Sequence, residues 1–305
     1  MSVINTNVSA MYSQNAMKTN ARAMSTAMEQ LSTGTRVNSA KDDAAGLAIG
    51  QNMTSQIRGL NQAVRNLNDG INMMQTAEGA MVEQSNMLQR MRELAVQSMN
   101  GTYSNPQRGY LDKEFQALTS QIGRIASDTK WNDQTLLNKT AGASGTFTYQ
   151  AGQSSGQIIT VSIGKMTVSG LGLSVVAAVT AASATGSVGS SNFVAAVAAV
   201  TGQAAAGIAT LSTATNALSR ISNALETINS QRAVIGAGIN RMEYAGDNLT
   251  NIASNATQSR STIMDTDYAI ATTQLAKTQI IQQAATAMLA QANQQPQGVM
   301  ALLKG

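Results

Sequence analysis

The sequence predicts a mainly α-helical protein, an elongated antiparallel helical bundle or coiled coil formed by both chain ends, with a small β-hairpin and a short outer insert. Apolar residues recur every three or four residues in both halves of the 305-residue chain. That spacing is the seam of a coiled coil, with about 3.5 residues per turn. The middle of the chain lacks the rhythm and is almost uncharged. Because the two stripes must meet to be buried, the chain is expected to turn and run back.

The N-terminal half is expected to hold three helices. The first runs from about residue 8 to residue 31, with a stripe made of Met17, Ala21, Met24, Met28 and Leu31. A capping-box-like stretch at Ser39–Asp42 precedes the second, which ends near Asn100. Asn-Gly and Asn-Pro pairs mark a turn before the third, at 111–127. The stripe of the last two helices comprises Leu60, Val64, Leu67, Ile71, Met74, Met81, Leu88, Leu111, Phe115, Leu118, Ile122 and Ile125.

Trp131 follows in a loop that it is expected to anchor by packing. Residues 146–149 and 159–163 alternate in polarity around Gly152 and Gly156, which predicts a β-hairpin. Residues 164–205 are rich in Ala, Val, Ser, Thr and Gly and show no period. The helical rhythm then resumes in a stripe of Leu211, Ala214, Leu218, Ile221, Leu225, Ile228, Ile235, Ile239, Met242, Leu249, Ala253 and Ala256.

A final helix is predicted from Tyr268 to Asn293, with Ile281, Ala285, Met288 and Leu289 facing inward. Pro296 is expected to stop it before a short apolar tail. Both end stripes are thin and diluted by Ala, and isolated helices are marginal in water. Our hypothesis is that both ends are disordered in the free monomer and fold when neighbouring subunits bury them.

Composition argues against an enzyme, a cofactor and a metal site. The chain has no Cys and no His, which removes thiolate ligands and the commonest general base. Asp42 and Asp43 are adjacent, so they do not face each other on a helix, and helix capping with a subunit contact is the better interpretation. Gly236 and Gly238 lie inside a heptad stripe and lack the strand that precedes a phosphate-binding loop.

Charge and hydropathy argue against nucleic acid and membrane as partners. Net charge is +4, yet only 12% of residues are charged. Nucleic-acid binding is not expected, because the sequence has no cluster of basic residues accompanied by stacking aromatic residues. The apolar runs 171–182 and 193–200 are shorter than the ~18–20 residues that span a membrane, so no membrane insertion is expected. The N-terminus lacks the features of a cleaved signal peptide. An uncharged polar surface can be buried cheaply between subunits and favours self-association.

Two runs carry a family resemblance. Residues 31–49 read LSTGTRVNSAKDDAAGLAI, and residues 88–97 read LQRMRELAVQ. Together with NTN at Asn5–Asn7 and ANQQP at Ala292–Pro296, they resemble bacterial flagellin over roughly 1–140 and 205–305. The resemblance implies an inner helical core domain (1–42 and 264–305) and a helical rod domain (43–163, including the hairpin, and 206–263). The short variable outer insert is then 164–205.

The resemblance also implies a function. Such a chain is a structural subunit that polymerises into the helical flagellar filament for motility, outside the cell, after export in unfolded form through the type III apparatus and the central channel. Two alternatives are a secreted helical effector or translocator and a hook–filament junction protein. The polymerisation interface is expected to include Met17, Met24, Met28, Leu31, Asp42, Asp43, Ile281, Met288 and Leu289.

Further partners follow from the same resemblance: an export chaperone on the C-terminal helix, filament cap and hook-junction proteins, and the host Toll-like receptor 5. The receptor positions correspond to Gln89, Arg90, Leu94 and Glu114. Arg90 and Leu94 share a helix face and are expected to be exposed beside Glu114; the alternative is that this surface packs against the next protofilament. The tail positions Val299, Leu302 and Leu303 resemble a segment sensed by the inflammasome, or pack near the channel.

Overall fold

The structure is a computed structural model that describes residues 7–140, 142, 144–173 and 207–303, with side chains described up to residue 294. These residues form five α-helices and four short β-strands. The helices are α1 Val8–Thr33, α2 Ala44–Met99, α3 Asn105–Asp128, α4 Leu211–Met264 and α5 Tyr268–Leu303. The strands are β1 Lys130–Trp131, β2 Gln134–Thr135, β3 Thr146–Gln150 and β4 Ile158–Ser162. The predicted mainly α fold with a β-hairpin is confirmed, while most of the predicted insert, from residue 174, lies outside the described residues.

The chain divides into two compact units. The end unit lies within 1–58 and 251–305, and the middle unit lies within 59–250. Each unit combines segments that are distant in sequence, which agrees with an outward and a returning path. Among the described residues, no helix combines the length and the hydropathy of a membrane-spanning segment.

In the end unit, α1 and α5 pack antiparallel. The side chain of Asn7, which caps α1, donates to the carbonyl of Ala292, and the side chain of Asn20 donates to the carbonyl of Thr278. Gly34, which ends α1 in the left-handed conformation at φ 72°, accepts a 3.0 Å hydrogen bond from the backbone N–H of Thr266. Glycine suits this position because a side chain disfavours positive φ.

Two aspartates organise the turn between α1 and α2. The Asp42 carboxylate accepts hydrogen bonds from the Ser39 hydroxyl at 2.7 Å and the Ser39 backbone N–H at 2.9 Å. These bonds hold the pKa of Asp42 below its usual range, with the hydroxyl as the largest cause. Asp43 accepts a 2.8 Å bond from the Gly46 N–H at the start of α2. Helix capping is therefore confirmed for Asp43 alone. The predicted capping box at Ser39–Asp42 is wrong, because the Ser39 hydroxyl donates to Asp42 and both residues precede α2.

The core of the middle unit follows the predicted stripes. Heptad residues of α2, α3 and α4 are buried: Leu60, Leu67, Met74, Met81, Leu88, Phe115, Ile122, Ala214, Ile221, Ile228, Ile235, Met242 and Leu249. Leu211 is an exception, because it is the first residue of α4 and remains 52% exposed.

The predicted hairpin is also present. β3 pairs antiparallel with β4, from Thr146 opposite Ser162 to Gln150 opposite Ile158. The side chain of Gln231 on α4 donates to the Ser162 carbonyl at 2.8 Å and accepts from the Gly164 N–H at 3.0 Å. The Gln231 amide therefore bonds both a backbone carbonyl and a backbone N–H at the end of β4, as the backbone of a neighbouring strand does, and it holds the end of β4 against α4.

A close approach holds the other strand against α2. A Cβ at Gly70 would lie 2.7 Å from the ring of Tyr149 on β3, so the helix needs glycine where the ring packs. Burial against this surface raises the pKa of the Tyr149 hydroxyl.

Two predictions about single residues are wrong. Trp131 does not anchor its loop by burial; it is 36% exposed on β1, and the adjoining Leu136 and Leu137 are fully buried in its place. Pro296 does not stop the last helix, because α5 continues to Leu303. The proline removes the N–H that would bond to the Ala292 carbonyl, and the side-chain amide of Asn7 donates to that carbonyl at 2.9 Å instead.

Candidate assembly and recognition surfaces

The contact between α1 and α5 is a narrow coiled-coil seam. Its members alternate at spacings of three and four and are buried or half-buried: Ala10, Ser13, Met17, Asn20, Met24, Ala27 and Leu31 on α1, and Ala271, Leu275, Thr278, Gln282, Ala285, Leu289 and Ala292 on α5. Alanine and polar residues fill much of it, so little apolar surface is buried per turn.

One layer of this seam is polar. Asn20 is 9% exposed, and its amide donates a 2.7 Å hydrogen bond to the carbonyl of Thr278, which is 2% exposed. A second, longer bond of 3.4 Å reaches the side-chain oxygen of Gln282. A backbone carbonyl recurs at every level of α5, but a heptad shift would place Leu275 or Leu289 where Gln282 lies, so the bond between the two side chains favours the observed register.

The outer faces of the same two helices carry a high proportion of exposed apolar side chains. They are Val8, Met11, Tyr12 and Met28 on α1, and Tyr268, Ile270, Ile280, Ile281 and Met288 on α5. Ile270 is 70% exposed and Ile280 is 66% exposed. Apolar exposure concentrated on one helix pair is typical of a surface that another protein covers.

The predicted interface residues divide between the seam and the outer faces. Met17, Met24, Leu31 and Leu289 are half-buried in the seam, and Ala285 is half-buried as predicted. Ile281 and Met288 do not face inward, and Ala21 and Met28 do not lie on the buried stripe of α1. Each of these four lies one position beside a true seam residue, at 282, 289, 20 and 27.

The two aspartates of the predicted interface do not converge on a common ligand. Asp42 is exposed and directed at the Ser39 turn, whereas half-buried Asp43 lies against the start of α2. The Arg36 guanidinium lies 4.0 Å from the Asp43 carboxylate.

A second surface in the middle unit centres on Arg90. Its guanidinium bonds to Glu114 of α3 at 2.9 Å and to Glu93 of its own helix at 3.0 Å. The hydrogen bond to Glu93, followed by that to Glu114, raises the pKa of Arg90. Since the Arg90 side chain is 51% exposed, water screens both pairs, and they contribute orientation more than stability.

Next to this ion cluster lies a shallow depression of about 550 Å³ lined by Gln89, Arg92, Glu93, Val96 and Gln97. Val96 is its exposed apolar residue, at 54%. The lining positions recur at spacings of one and three along α2, which is the signal in the sequence that would have found this face.

Leu94 does not belong to the exposed surface, so the expectation of an exposed Leu94 beside Arg90 is wrong. Leu94 is 1% exposed and shares the buried face of α2 with Met91, Ala95 and Ser98. Arg90 and Glu114 are exposed as predicted, and Gln89 is also exposed. Val299, Leu302 and Leu303 lie in the last turns of α5, and their side chains lie outside the described part of the chain.

Comparison with known proteins identifies the family. Residues 4–142 match the model of the bacterial flagellin N-terminal helical region, and residues 218–303 match that of the C-terminal helical region. The chain belongs to the bacterial flagellin family. A flagellin of Halalkalibacterium halodurans is 40% identical over 302 residues, covering 99% of this chain and 100% of that protein. Flagellin B of Vibrio cholerae is 36% identical over 374 residues, covering 98% of this chain and 99% of the relative.

Solved structures include similar folds. A putative flagellar hook-associated protein from Vibrio parahaemolyticus has a TM-score of 0.53 at 13% identity, covering 73% of this chain and 99% of that one, which is a likeness of fold alone. Bacillus cereus flagellin is 26% identical, with a TM-score of 0.46, over 63% of this chain and 94% of its own. Family membership makes this flagellin a structural subunit of an extracellular flagellar filament.

Proposed function

We propose that this flagellin polymerises through the outer faces of α1 and α5 and that copies of the same chain cover these faces. The observation that supports the proposal most is the set of exposed apolar residues on a seam built largely from alanine and polar groups. Ordering a residue costs about 1–2 kcal/mol of backbone entropy, and the narrow seam offers little burial to offset it. We therefore propose that both ends fold fully only in the filament.

Seeded elongation tests this proposal. Purified monomer is added to sheared filaments, and growth is followed by light scattering and electron microscopy. The intact chain should elongate the seeds, whereas chains lacking residues 1–31 or 268–305 should not. Elongation by either truncated chain into long ordered fibres would contradict the proposal. A secreted effector or translocator, the alternative from another class, would not elongate seeds at all.

A pair of point variants on α5 separates assembly from folding. Ile280→Ser removes an exposed apolar side chain, and Gln279→Ser removes the exposed polar neighbour. The Ile280 variant should raise the concentration of monomer that remains unassembled, and the Gln279 variant should not. Equal effects of the two substitutions would contradict an apolar contact at this position.

The proposed disorder of the free ends has its own measurement. Limited proteolysis of the monomer should cut within 8–33 and 268–303 before it cuts the core helices, and assembled filaments should resist cleavage at both. Ends that survive digestion of the monomer as long as α2 does would contradict the idea.

We also propose export in unfolded form and a chaperone that covers α5 before assembly. The exposed apolar side chains of α5 give such a chaperone a physical reason, because they would otherwise self-associate early. A flagellar export chaperone should co-purify with the intact chain and not with a chain lacking 268–303. Filament cap and hook-junction proteins are proposed as further partners at the two filament ends.

A second proposed function is recognition of the monomer by the host Toll-like receptor 5. It is supported by the exposed Arg90–Glu114 pair and by the neighbouring depression that includes Gln89. Arg90→Ala should reduce receptor activation in reporter cells, while Arg124→Ala, an exposed arginine on α3, should not. For the tail, replacement of Val299, Leu302 and Leu303 by Ser should reduce inflammasome activation by delivered protein; unchanged activation would favour a packing role near the channel.

A further inference from the structure

The exposure of methionine differs between the two units. Met11, Met28 and Met288 are 56%, 54% and 64% exposed, and all three lie on α1 or α5 in the end unit. The buried methionines of the described residues all lie in the middle unit: Met73, Met74, Met81, Met91, Met166 and Met242. Of the methionines whose side chains the structure describes, the most exposed therefore lie on the pair of end helices, where peroxide in solution can reach them.

In the register of α1 against α5, two of these methionines lie at the same level along the helix pair. Asn7 bonds to the carbonyl of Ala292. One helical turn forward on α1 reaches Met11, and one turn back on antiparallel α5 reaches Met288. Two exposed thioethers thus lie at the same height on the surface that we assign to assembly.

We propose that Met11, Met28 and Met288 form a peroxide-sensitive modification site that blocks assembly of the free subunit and that assembly in turn protects. The sulfur lone pair of each thioether attacks one oxygen of hydrogen peroxide, an S–O bond forms, and the O–O bond breaks. The sulfur is oxidised to a sulfoxide, and the remaining peroxide oxygen leaves as water with both protons. The inference rests on the proposed function, because it takes these helix faces as the assembly surface.

The consequence for assembly follows from the change in polarity. A thioether is apolar and flexible and suits an adaptable interface. A sulfoxide oxygen is a strong hydrogen-bond acceptor that loses water when a neighbouring subunit covers it. The chain has no cysteine, so thiols of its own do not compete for the oxidant.

The first experiment measures the rate at which each methionine is oxidised to the sulfoxide. Monomer and sheared filaments of the full chain are treated with hydrogen peroxide, and each methionine is followed by peptide mass spectrometry. In the monomer, Met11, Met28 and Met288 should oxidise at least about tenfold faster than Met74, Met81 and Met91. In filaments, their rates should fall toward those of the buried group. Equal rates at all positions in the monomer, or no protection in filaments, would overturn the proposal.

The second experiment measures assembly of the oxidised chain. Peroxide-treated monomer should elongate seeds at least about tenfold more slowly than untreated monomer. A variant with Leu at Met11, Met28 and Met288, and also at the seam residues Met17 and Met24 that the disordered ends of the monomer would expose, should keep its own rate after treatment, because leucine is apolar and not oxidised. Met87→Leu, at a half-buried methionine of the middle unit, is the control and should remain sensitive. Loss of assembly by the five-residue variant on treatment would overturn the proposal.

Enzymatic repair provides a test without any substitution. Methionine sulfoxide reductases of both stereospecificities should restore elongation to peroxide-treated wild-type monomer; repair verified by mass spectrometry without recovery would overturn the proposal. Untreated wild-type monomer reports on the proposed function separately, since its failure to elongate seeds would contradict polymerisation itself rather than its sensitivity to peroxide.

Discussion

The side-chain amide of Asn7 donates a 2.9 Å hydrogen bond to the carbonyl of Ala292, across a sequence separation of 285 residues. The same side chain accepts a 3.0 Å bond from the Ala10 N–H and caps α1. Ala292 lies four residues before Pro296, so no helical N–H is available to its carbonyl. One asparagine therefore begins one helix and completes another.

A double-mutant cycle tests this arrangement. Asn7→Asp keeps an oxygen to cap α1 but loses the amide donor, so it should weaken the end of α5 by about 1 kcal/mol. In a Pro296→Ala background the loss should be smaller, because residue 296 then supplies the missing N–H. Hydrogen exchange of residues 293–303 in filaments measures both steps. An identical loss in the two backgrounds would contradict the coupling.

Asn20 should set the register of α1 against α5. Replacing it with Leu removes the bond to Thr278 and makes the seam more uniform, so the pair should populate alignments shifted by one heptad. Because the chain has no cysteine, introduced pairs report alignment cleanly. In filaments, cysteines at 10 and 289 detect the native level, and cysteines at 10 and 282 detect a shift. Intramolecular crosslinking of the shifted pair should rise only in the Asn20→Leu variant; its absence would show that Asn20 does not select the alignment.

Substitutions at Leu94 and Arg90 should have different effects on stability. Leu94→Ala deletes a fully buried side chain and should lower the free energy of unfolding by about 2–5 kcal/mol. Arg90→Ala removes ion pairs that water screens and should change the free energy of unfolding far less. Urea denaturation, followed by fluorescence of the single Trp131, measures both. Comparable losses of stability in the two variants would contradict the burial of Leu94. The same measurement is needed as a control if Leu94→Ala reduces receptor activation, because unfolding alone could cause that reduction.

Acid should weaken the turn that Asp42 holds. Its folded pKa is lowered by hydrogen bonds, so its contribution to stability is present above the unfolded pKa of about 3.9 and is lost as pH falls through the folded pKa. Asp42→Asn cannot titrate. The wild-type chain should therefore exceed this variant in melting temperature more at pH 7 than at pH 2–3, and a pH-independent difference would contradict the assignment.

The repeat in the middle unit could be predicted because large apolar residues such as Ile221, Ile228 and Ile235 stand out from polar neighbours. In α1 and α5 the same reasoning failed by one position at Met28 and Met288. There Ala and Met occur on both the seam and the outer faces, and a polar residue, Asn20, occupies a buried place. Hydrophobic pattern alone does not distinguish a face that the chain buries from one that another copy covers.

The surface around Arg90 was predictable only in part. The family resemblance pointed to Arg90 and Glu114, but the side of α2 on which Leu94 lies depends on packing against the rest of the middle unit. The predicted end of α5 at Pro296 was wrong because the hydrogen bond that the proline removes is replaced by one from Asn7, which lies nearly the whole length of the chain away. Long-range compensation of this kind leaves no local signal.

The bond between Asn7 and Ala292 also has a practical meaning for engineering. A fluorescent label or fused cargo attached near either of these residues would lie at the same level of the helix pair. Moving a tag from one of these positions to the other would therefore not remove its interference with the assembly surface. The bend of the β-hairpin at 153–157 is a better place for added sequence, since its residues are exposed, provided that Gly156, at φ 88°, is kept.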